Sequence, residues 1–415
     1  MQFLRRGEVT SPHEAEVSDR ACVVKSVGLG QNIRVTSTDS KIPTPAASSE
    51  WAAFVGASPY GDVLQCLEWG EVKKPLWQPI PVAIRGDNGQ LKATALILKR
   101  KLGRANRSIF YLPRGPIVDW SDAPTARAIL NKVRAQARRH RAILIKVDPC
   151  VPRFADPGAL KILHDMGFVP SPDALNAFGG TQPRFNMKLD ISGSEDEVQA
   201  RFHTKWRYNT RLAARKGITV RAISSRDEIP IFHELYRITA ERDGFTGRPL
   251  KYFQGLWDAL VTPGLARFFL AENAGKPLSG AICFALGTQC WYVYGASSNE
   301  DRKLMPNHAM QWSMMQWARA RGCTLYDFRG VHDIPSLGEK GQDFDVSTLS
   351  TEQLMESSDG LVRFKAGFGA SLTEYIGEFD LPLSRIGYWA WTSARPRLVA
   401  ALKSRSKASA PAPAD

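Results

Sequence analysis

The chain contains no apolar run of the roughly 18–20 residues that a membrane-spanning helix needs, and no CxxC, HxH or HxxxH pair. Its N-terminus has no apolar signal core followed by a cleavage site,. These absences argue against a helical membrane protein, a secreted disulfide scaffold and a structural zinc domain, and point to the cytoplasm. The six cysteines, Cys22, Cys66, Cys150, Cys283, Cys290 and Cys323, are scattered, so reduced thiols are expected and no metal,. No Ser/His/Asp or Cys/His motif offers a covalent acyl-enzyme route,.

Acidic residues are also in short supply. Lys and Arg total 55 against 41 Asp and Glu, a net charge of +14. Residues 1–50 are balanced between Arg5, Arg6, Arg20, Lys25, Arg34, Lys41 and Glu8, Glu14, Glu16, Asp19, Asp39, Glu50, so the excess lies downstream. A basic folded part attracts phosphate-rich partners: RNA, nucleotides or an anionic membrane face. A solubilising excess without a partner is the plainer alternative.

At 415 residues the chain is too long for one ordinary core and predicts two domains with tails,. Residues 1–47 read as a disordered leader and 404–415 as a Ser/Ala/Pro tail,. Between them, strand patterns at 81–85, 93–98, 108–112, 142–147, 185–189, 219–223, 266–272, 281–285, 291–294 and 325–328 alternate with helical ones,. The helical patterns fall at 61–73, 124–140, 157–166, 195–216, 227–243, 251–260 and 307–321. Two runs repeat one plan of strand, strand, helix, strand, at 93–147 and 281–328, which predicts two copies of a mixed α/β unit,. That order resembles the core of the GCN5-related N-acetyltransferase fold. The fold cradles acyl-CoA pyrophosphate on a glycine-rich turn, whereas Arg302-Lys303-Leu304-Met305-Pro306-Asn307 has no glycine, which disfavours ordinary acyl-CoA use,.

Four segments carry candidate chemistry. Phe364-Lys365-Ala366-Gly367-Phe368-Gly369 sets one lysine between aromatic rings and glycines, a cation shielded from water that can meet an oxyanion or phosphate, with Gly367 and Gly369 admitting a ligand closely,. The bland reading is a strand edge whose lysine snorkels over phenylalanine. The 195–216 helix opens with a Ser194/Glu197 capping box and stops at Gly217. It has no acid from Val198 to Arg221, and its Arg201, Lys205, Arg207, Arg211, Arg215 and Lys216 form a candidate phosphate-tracking face,. Arg127, Arg134 and Arg138, with nearby Arg141, give the 124–140 helix a second basic stripe. Residues 384–407 mix Tyr388, Trp389 and Trp391 with Arg385, Arg395, Arg397, Lys403, Arg405 and Lys407, a composition suited to a membrane interface or to packing on the first domain,.

Four motifs resemble the FemABX peptidyltransferases that build peptidoglycan cross-bridges. They are Gln65…Trp69…Lys73, Tyr111-Leu112-Pro113-Arg114-Gly115-Pro116 with Asp119, the basic run Lys205-Trp206-Arg207-Tyr208-Asn209-Thr210-Arg211, and Phe364–Gly369 followed by Glu374-Tyr375-Ile376-Gly377-Glu378. The resemblance spans about 51–383, in the family's order. It implies two acetyltransferase-like domains in a mixed α/β fold, without the coiled-coil insertion of some members. The domains would be 48–182, completed by 374–403, and 183–373. It also implies transfer of an amino acid from aminoacyl-tRNA to an amine of the stem peptide of lipid II or UDP-MurNAc-pentapeptide, without cofactor, with peripheral contact at the inner membrane surface.

By the same resemblance Lys365 would serve the tRNA 3′ end and developing oxyanion, with Phe364 positioning the adenosine. Asp119 would be a base or orienting group. Lys73 and Arg242 would contact the precursor's diphosphate and uridine, Tyr292 and Tyr294 would line its site, and Arg114 would bind substrate. The acidic stretch 331–362, with Glu339, Asp343, Asp345, Glu352 and Glu356, reads as a surface insertion or a lid,. Acyl-CoA-dependent N-acyl transfer and a non-enzymatic basic RNA- or membrane-binding protein are the alternatives.

Overall fold

The computed structural model describes residues 45–74, 76–103, 106–155, 157–172, 174, 180–331 and 344–394. Most of the expected leader, the tail, Arg395, Arg397, Lys403, Arg405, Lys407, Glu339 and Asp343 lie outside the described residues. The first described helix is α1 (Pro45–Ala57), whose first three residues fall within the expected leader. Its Trp51 and Val55 are buried, and that apolar contact holds the helix to the body,.

Two seven-stranded mixed sheets organise the described residues. The first contains β1 (Gln78–Arg85), β2 (Leu91–Lys101), β3 (Ser108–Leu112), β4 (Ile117–Val118), β5 (Ala142–Val147), β6 (Val169–Pro170) and, from far along the chain, β14 (Phe379–Pro382). The second contains β7 (Phe185–Asp190), β8 (Ile218–Ala222), β9 (Ala266–Asn273), β10 (Lys276–Leu286), β11 (Gln289–Ser297), β12 (Leu325–Val331) and β13 (Ser371–Glu374). Each holds one parallel pair reached by a helical crossover, β3 with β5 through α3 (Ala123–Arg139) and β11 with β12 through α9 (Pro306–Ala320). This is the acetyltransferase-like repeat. α3, at 17 residues, is the longest described helix, so no coiled-coil insertion is present among the described residues.

Apolar residues build three main layers. α3 and α4 (Pro157–Asp165) cover one face of the first sheet through Ile129, Val133 and Leu163. Between the sheets lie α1, α2 (Leu67–Lys73), α7 (Ile229–Asp243) and α8 (Leu250–Leu256), where Leu96 and Leu98 of β2 share a core with Phe284 of β10. α6 (Thr204–Arg215), α9 and the helix Gly360–Ala366 cover the far face of the second sheet.

Two expected helices are broken. The 61–73 pattern divides at Cys66, where Asp62 caps a short turn. The 195–216 pattern divides into α5 (Glu195–Ala200), with the expected Ser194/Glu197 capping box, and α6, where His203 accepts from the Lys205 amide and restarts the helix. Residues 344–362 are not a loose insertion: Val346, Leu354 and Val362 are buried in the second sheet's core. The chain then crosses between sheets. Tyr375 bridges Pro152, the Ile376 amide donates to the Val151 carbonyl (2.9 Å), and Lys146 pairs with Glu378 and Asp380.

Candidate active site

The four motifs, spread over 300 residues of sequence, touch one another in turn. Gln65 is fully buried, donates to the Pro113 carbonyl (2.7 Å) and accepts from the Leu96 amide (2.9 Å). A Cβ on Gly115 would collide with that side chain, so a glycine is required there. Arg114 is only 2% exposed, with φ of 57°. Its guanidinium donates to the Pro183 carbonyl (2.8 Å) and lies 4.8 Å from the Tyr375 ring centroid. These contacts hold the enclosed guanidinium at the junction between the sheets. The last two motifs meet through Trp206, whose indole donates to the Phe364 carbonyl (3.0 Å).

Lys365 sits in a helix, Gly360–Ala366, and not on a strand edge. It is 3% exposed, and its Nζ donates to the carbonyls of Gly330 (2.6 Å) and Arg329 (3.2 Å). Burial pushes its pKa down to about 7, against smaller opposing attraction from Asp327 and Asp359,. An ammonium with two N–H groups on carbonyls keeps a third for another acceptor. The glycines have a different role from the one expected. A Cβ on Gly367 would enter the Trp206 ring, and Gly369 (φ 81°) lies against the Arg201 carbonyl, so both admit protein rather than ligand. Phe364 is half-buried beside His308 and Phe368. Burial, with Lys205 nearby, lowers the His308 pKa to about 4, which leaves the imidazole neutral at pH 7.

A polar network that the sequence did not reveal supports Lys365. Arg329 (φ 59°) forms a forked pair with the fully buried Asp62 (2.6 and 3.1 Å), and its backbone amide donates to Asp327 (2.6 Å). Burial raises the Asp62 pKa, but the Arg329 guanidinium outweighs this and holds it below the usual range,. Asn186 donates to both Asp327 oxygens (3.2 and 3.0 Å), and the Lys188 Nζ lies 5.0 Å from the Tyr375 ring centroid. A signal was available. Asn186 and Lys188 alternate with Phe185, Met187 and Leu189, as Asp327 and Arg329 do with Tyr326 and Phe328, so one face of both strands is polar,. Alternation normally means a solvent face, and here the junction between sheets covers it.

A second constellation lies between the sheets. Lys73 donates to the Tyr252 hydroxyl (3.4 Å) and lies 4.3 Å from the Trp69 ring centroid, and Tyr252 hydrogen-bonds Tyr294 (2.8 Å). Burial, then repulsion from Arg248, lowers the Lys73 pKa to about 8. Tyr252 and Arg248 were not expected. Arg242 donates to the Ser297 carbonyl and Asn299 (3.1 Å each) and pairs with Asp243, so it flanks the same strand three residues beyond Tyr294. The β10–β11 register shifts between Ile282 and Cys283, opposite Tyr294 and Tyr292. That bulge sends Tyr294 into the layer with Lys73 and Tyr292 to the opposite core, so the two rings do not share a site,.

Asp119 is exposed after β4, where it accepts from the Ser121 amide (3.0 Å) and hydroxyl (2.7 Å). Of the basic run, Arg207 is spent on the Ala200 and Phe202 carbonyls (3.1 and 2.5 Å), and Arg201 on those of Asp190 and Ser192 (2.8 and 3.1 Å). Arg215 lies over Tyr208 (5.5 Å). Lys205, Arg211 and Lys216 are exposed and form no ion pair with described residues.

Comparison with known proteins places these features in context. The FemAB family model matches residues 46–155, 163–274 and 264–395. The chain is 30% identical to a lipid II:glycine glycyltransferase of Staphylococcus epidermidis, over 84% of this chain and 94% of that protein. It is likewise 30% identical to a lipid II:glycine glycyltransferase of Staphylococcus aureus, over 85% and 96%. The solved structure of FemX superposes with a TM-score of 0.72 at 30% identity, covering 82% of this chain and 97% of that one.

Proposed function

The chain belongs to the FemAB family and is a transferase, and from that premise we propose that it moves an amino acid from aminoacyl-tRNA onto an amine of a peptidoglycan precursor's stem peptide. The observation that carries this reading is the match along nearly the whole length of proteins named lipid II:glycine glycyltransferases. Their names make lipid II the first acceptor to test, in preference to UDP-MurNAc-pentapeptide, and glycine the first amino acid. A lipid-linked acceptor places the enzyme peripherally at the inner membrane face. The two sheets serve as its two halves, 48–182 with 374–403, and 183–373.

An aminoacyl ester is already activated, so the enzyme has to align two substrates and stabilise one oxyanion. The acceptor nitrogen attacks the ester carbonyl carbon, a C–N bond forms, and the C–O bond to the tRNA 3′ oxygen breaks. The amine's proton passes to that departing oxygen, leaving free tRNA. Lys365 supplies its third N–H to the oxyanion, held in place by the carbonyls of Arg329 and Gly330. Phe364 flanks the terminal adenosine. Asp119, on its exposed turn, orients the acceptor amine. Lys73, Tyr294 and Arg242 hold the precursor's phosphates, with Tyr252 and Arg248 completing the set. Lys205, Arg211 and Lys216 track the tRNA backbone, and Arg201, Arg207 and Arg215 fix the geometry of α5 and α6.

The test is transfer of labelled glycine from charged tRNA to lipid II by the purified protein. A stem peptide heavier by one glycyl residue, lost on RNase treatment, is expected. Thiol release from acyl-CoA that survives RNase would establish the acyl-CoA reading. RNA binding without transfer from any charged tRNA would establish the non-enzymatic one.

A further inference from the structure

The first sheet has two chemically different ends. The C-terminal ends of β3 and β5 lead into Arg114 and Asp148, which belong to the buried network. Their N-terminal ends, about 17 Å away at some 3.3 Å per residue, border a cleft of about 510 Å³. Its lining includes Lys99, Lys101, Arg107 and Arg141, and no Asp or Glu among the described residues. Lys99 also reaches His140 (3.0 Å), whose pKa is lowered by burial and by the charges of Lys99 and Arg139.

The same sheet end carries exposed apolar side chains. Ile109, Ile143 and Leu144 form a small core completed by Trp77, Leu102, Tyr388 and Trp391. The helix Arg385–Trp389 packs over it closely enough that a Cβ on Gly387 would strike Ile143, and it leaves Ile386 81% and Trp389 58% exposed. Leu76, 69% exposed, stands beside Trp77, and the Arg100 guanidinium lies 5.7 Å from the Trp77 ring centroid. Leu102 and Ile109 of this core neighbour Lys101 and Ser108 of the cleft along the chain and alternate with them, so hydrophobe and cation flank the two faces of one sheet end,. The backbone at Lys73 joins this edge, since its carbonyl accepts from the Leu76 and Trp77 amides (3.0 and 2.9 Å).

We propose that this end of the first sheet docks on an anionic phospholipid bilayer, with Ile386, Trp389 and Leu76 entering the headgroup boundary and Lys99, Lys101, Arg100 and Arg107 meeting the lipid phosphates. Exposed Ile and Leu favour lipid over RNA, because a nucleic acid gives an aliphatic side chain no apolar phase to enter, whereas a bilayer rewards rings, aliphatics and cations together. The docking needs no substrate. Only its consequence, delivery of a lipid-linked acceptor toward Lys73, rests on the proposed function.

The test is cosedimentation of the full chain with phosphatidylcholine vesicles, with and without phosphatidylglycerol. Binding is expected only with phosphatidylglycerol and should weaken with salt. The double variant Ile386→Ser/Trp389→Ser and the triple variant Lys99→Gln/Lys101→Gln/Arg107→Gln should each lose about tenfold or more in partitioning, with unchanged circular dichroism and tRNA affinity. Transfer to a water-soluble acceptor should persist in both, while transfer to vesicle-borne acceptor falls. Absence of vesicle binding, or binding indifferent to both variants, would overturn the proposal. So would loss of tRNA affinity alone in the triple variant, which would make the cleft a nucleic-acid surface. Vesicle binding that appears only after removal of residues 395–415 would instead identify that segment as the occupant. The vesicle-binding and tRNA-affinity results do not depend on whether transfer occurs.

Discussion

Arg114, Arg329 and Lys365 lie enclosed where the two sheets meet, whereas Lys205, Arg211 and Lys216 stand exposed on and just after α6. Composition counts the two groups alike, but their physics differs. The enclosed cations each have named partners, Pro183 and Tyr375, Asp62, or the Arg329 and Gly330 carbonyls, and water has little access to them. The exposed ones are screened within a Debye length of about 8 Å at physiological salt, so they attract without fixing geometry. In the proposed function the first set positions the chemistry and the second governs encounter with tRNA.

Breaking the enclosed set should cost most. Arg329→Met leaves Asp62 buried without its partner, and a loss of about 3–5 kcal/mol of folding stability is expected. Chemical denaturation measures this, and restoration of most of the loss by adding Asp62→Leu would show that the pair is the cause. Next, Gly367→Ala should cost about 1–3 kcal/mol through its collision with Trp206,. It should also reduce transfer, because Lys365 lies two residues away. A variant as stable as the parent would refute that packing.

The pH dependence of Lys73 is a smaller effect with a definite sign. Its lowered pKa means that the amine is charged below about 8 and neutral above. Affinity for a diphosphate-bearing precursor should therefore fall by up to about tenfold between pH 7 and 9 in the parent, and stay flat in Lys73→Met. Calorimetric titration with the UDP-linked precursor distinguishes these outcomes. The smallest effect belongs to the exposed set. Replacing Lys205, Arg211 and Lys216 with Gln should flatten the log–log salt dependence of tRNA binding by about one unit for each phosphate that is no longer neutralised. The single-turnover transfer rate at saturating tRNA should stay unchanged. A reduced rate there would place the exposed set in the chemistry and erase the distinction.

Much of this was legible in the sequence. The repeated strand and helix order yields both sheets, the Ser194/Glu197 box caps α5, and the four motifs name residues that do touch. Other features depend on residues distant in sequence. Cys66 and His203 interrupt expected helices through local turn chemistry that hydrophobic periodicity does not register,. Gly367 reads as room for a ligand until Trp206, 161 residues earlier, is found in that room. The bulge that parts Tyr292 from Tyr294 depends on the pairing of β10 with β11. Asp327 and Arg329 read as a solvent face because nothing nearby in sequence shows that the sheet junction will cover them.

The central claim is that the Lys365 ammonium stabilises the transfer oxyanion. Its most direct test is the single-turnover rate of glycyl transfer to lipid II by Lys365→Met, with both substrates saturating. Loss of one oxyanion donor predicts a fall of about 10²–10³, with tRNA and precursor affinities within a few-fold of the parent. A rate equal to the parent's, in a variant that folds and binds both substrates, would contradict the account.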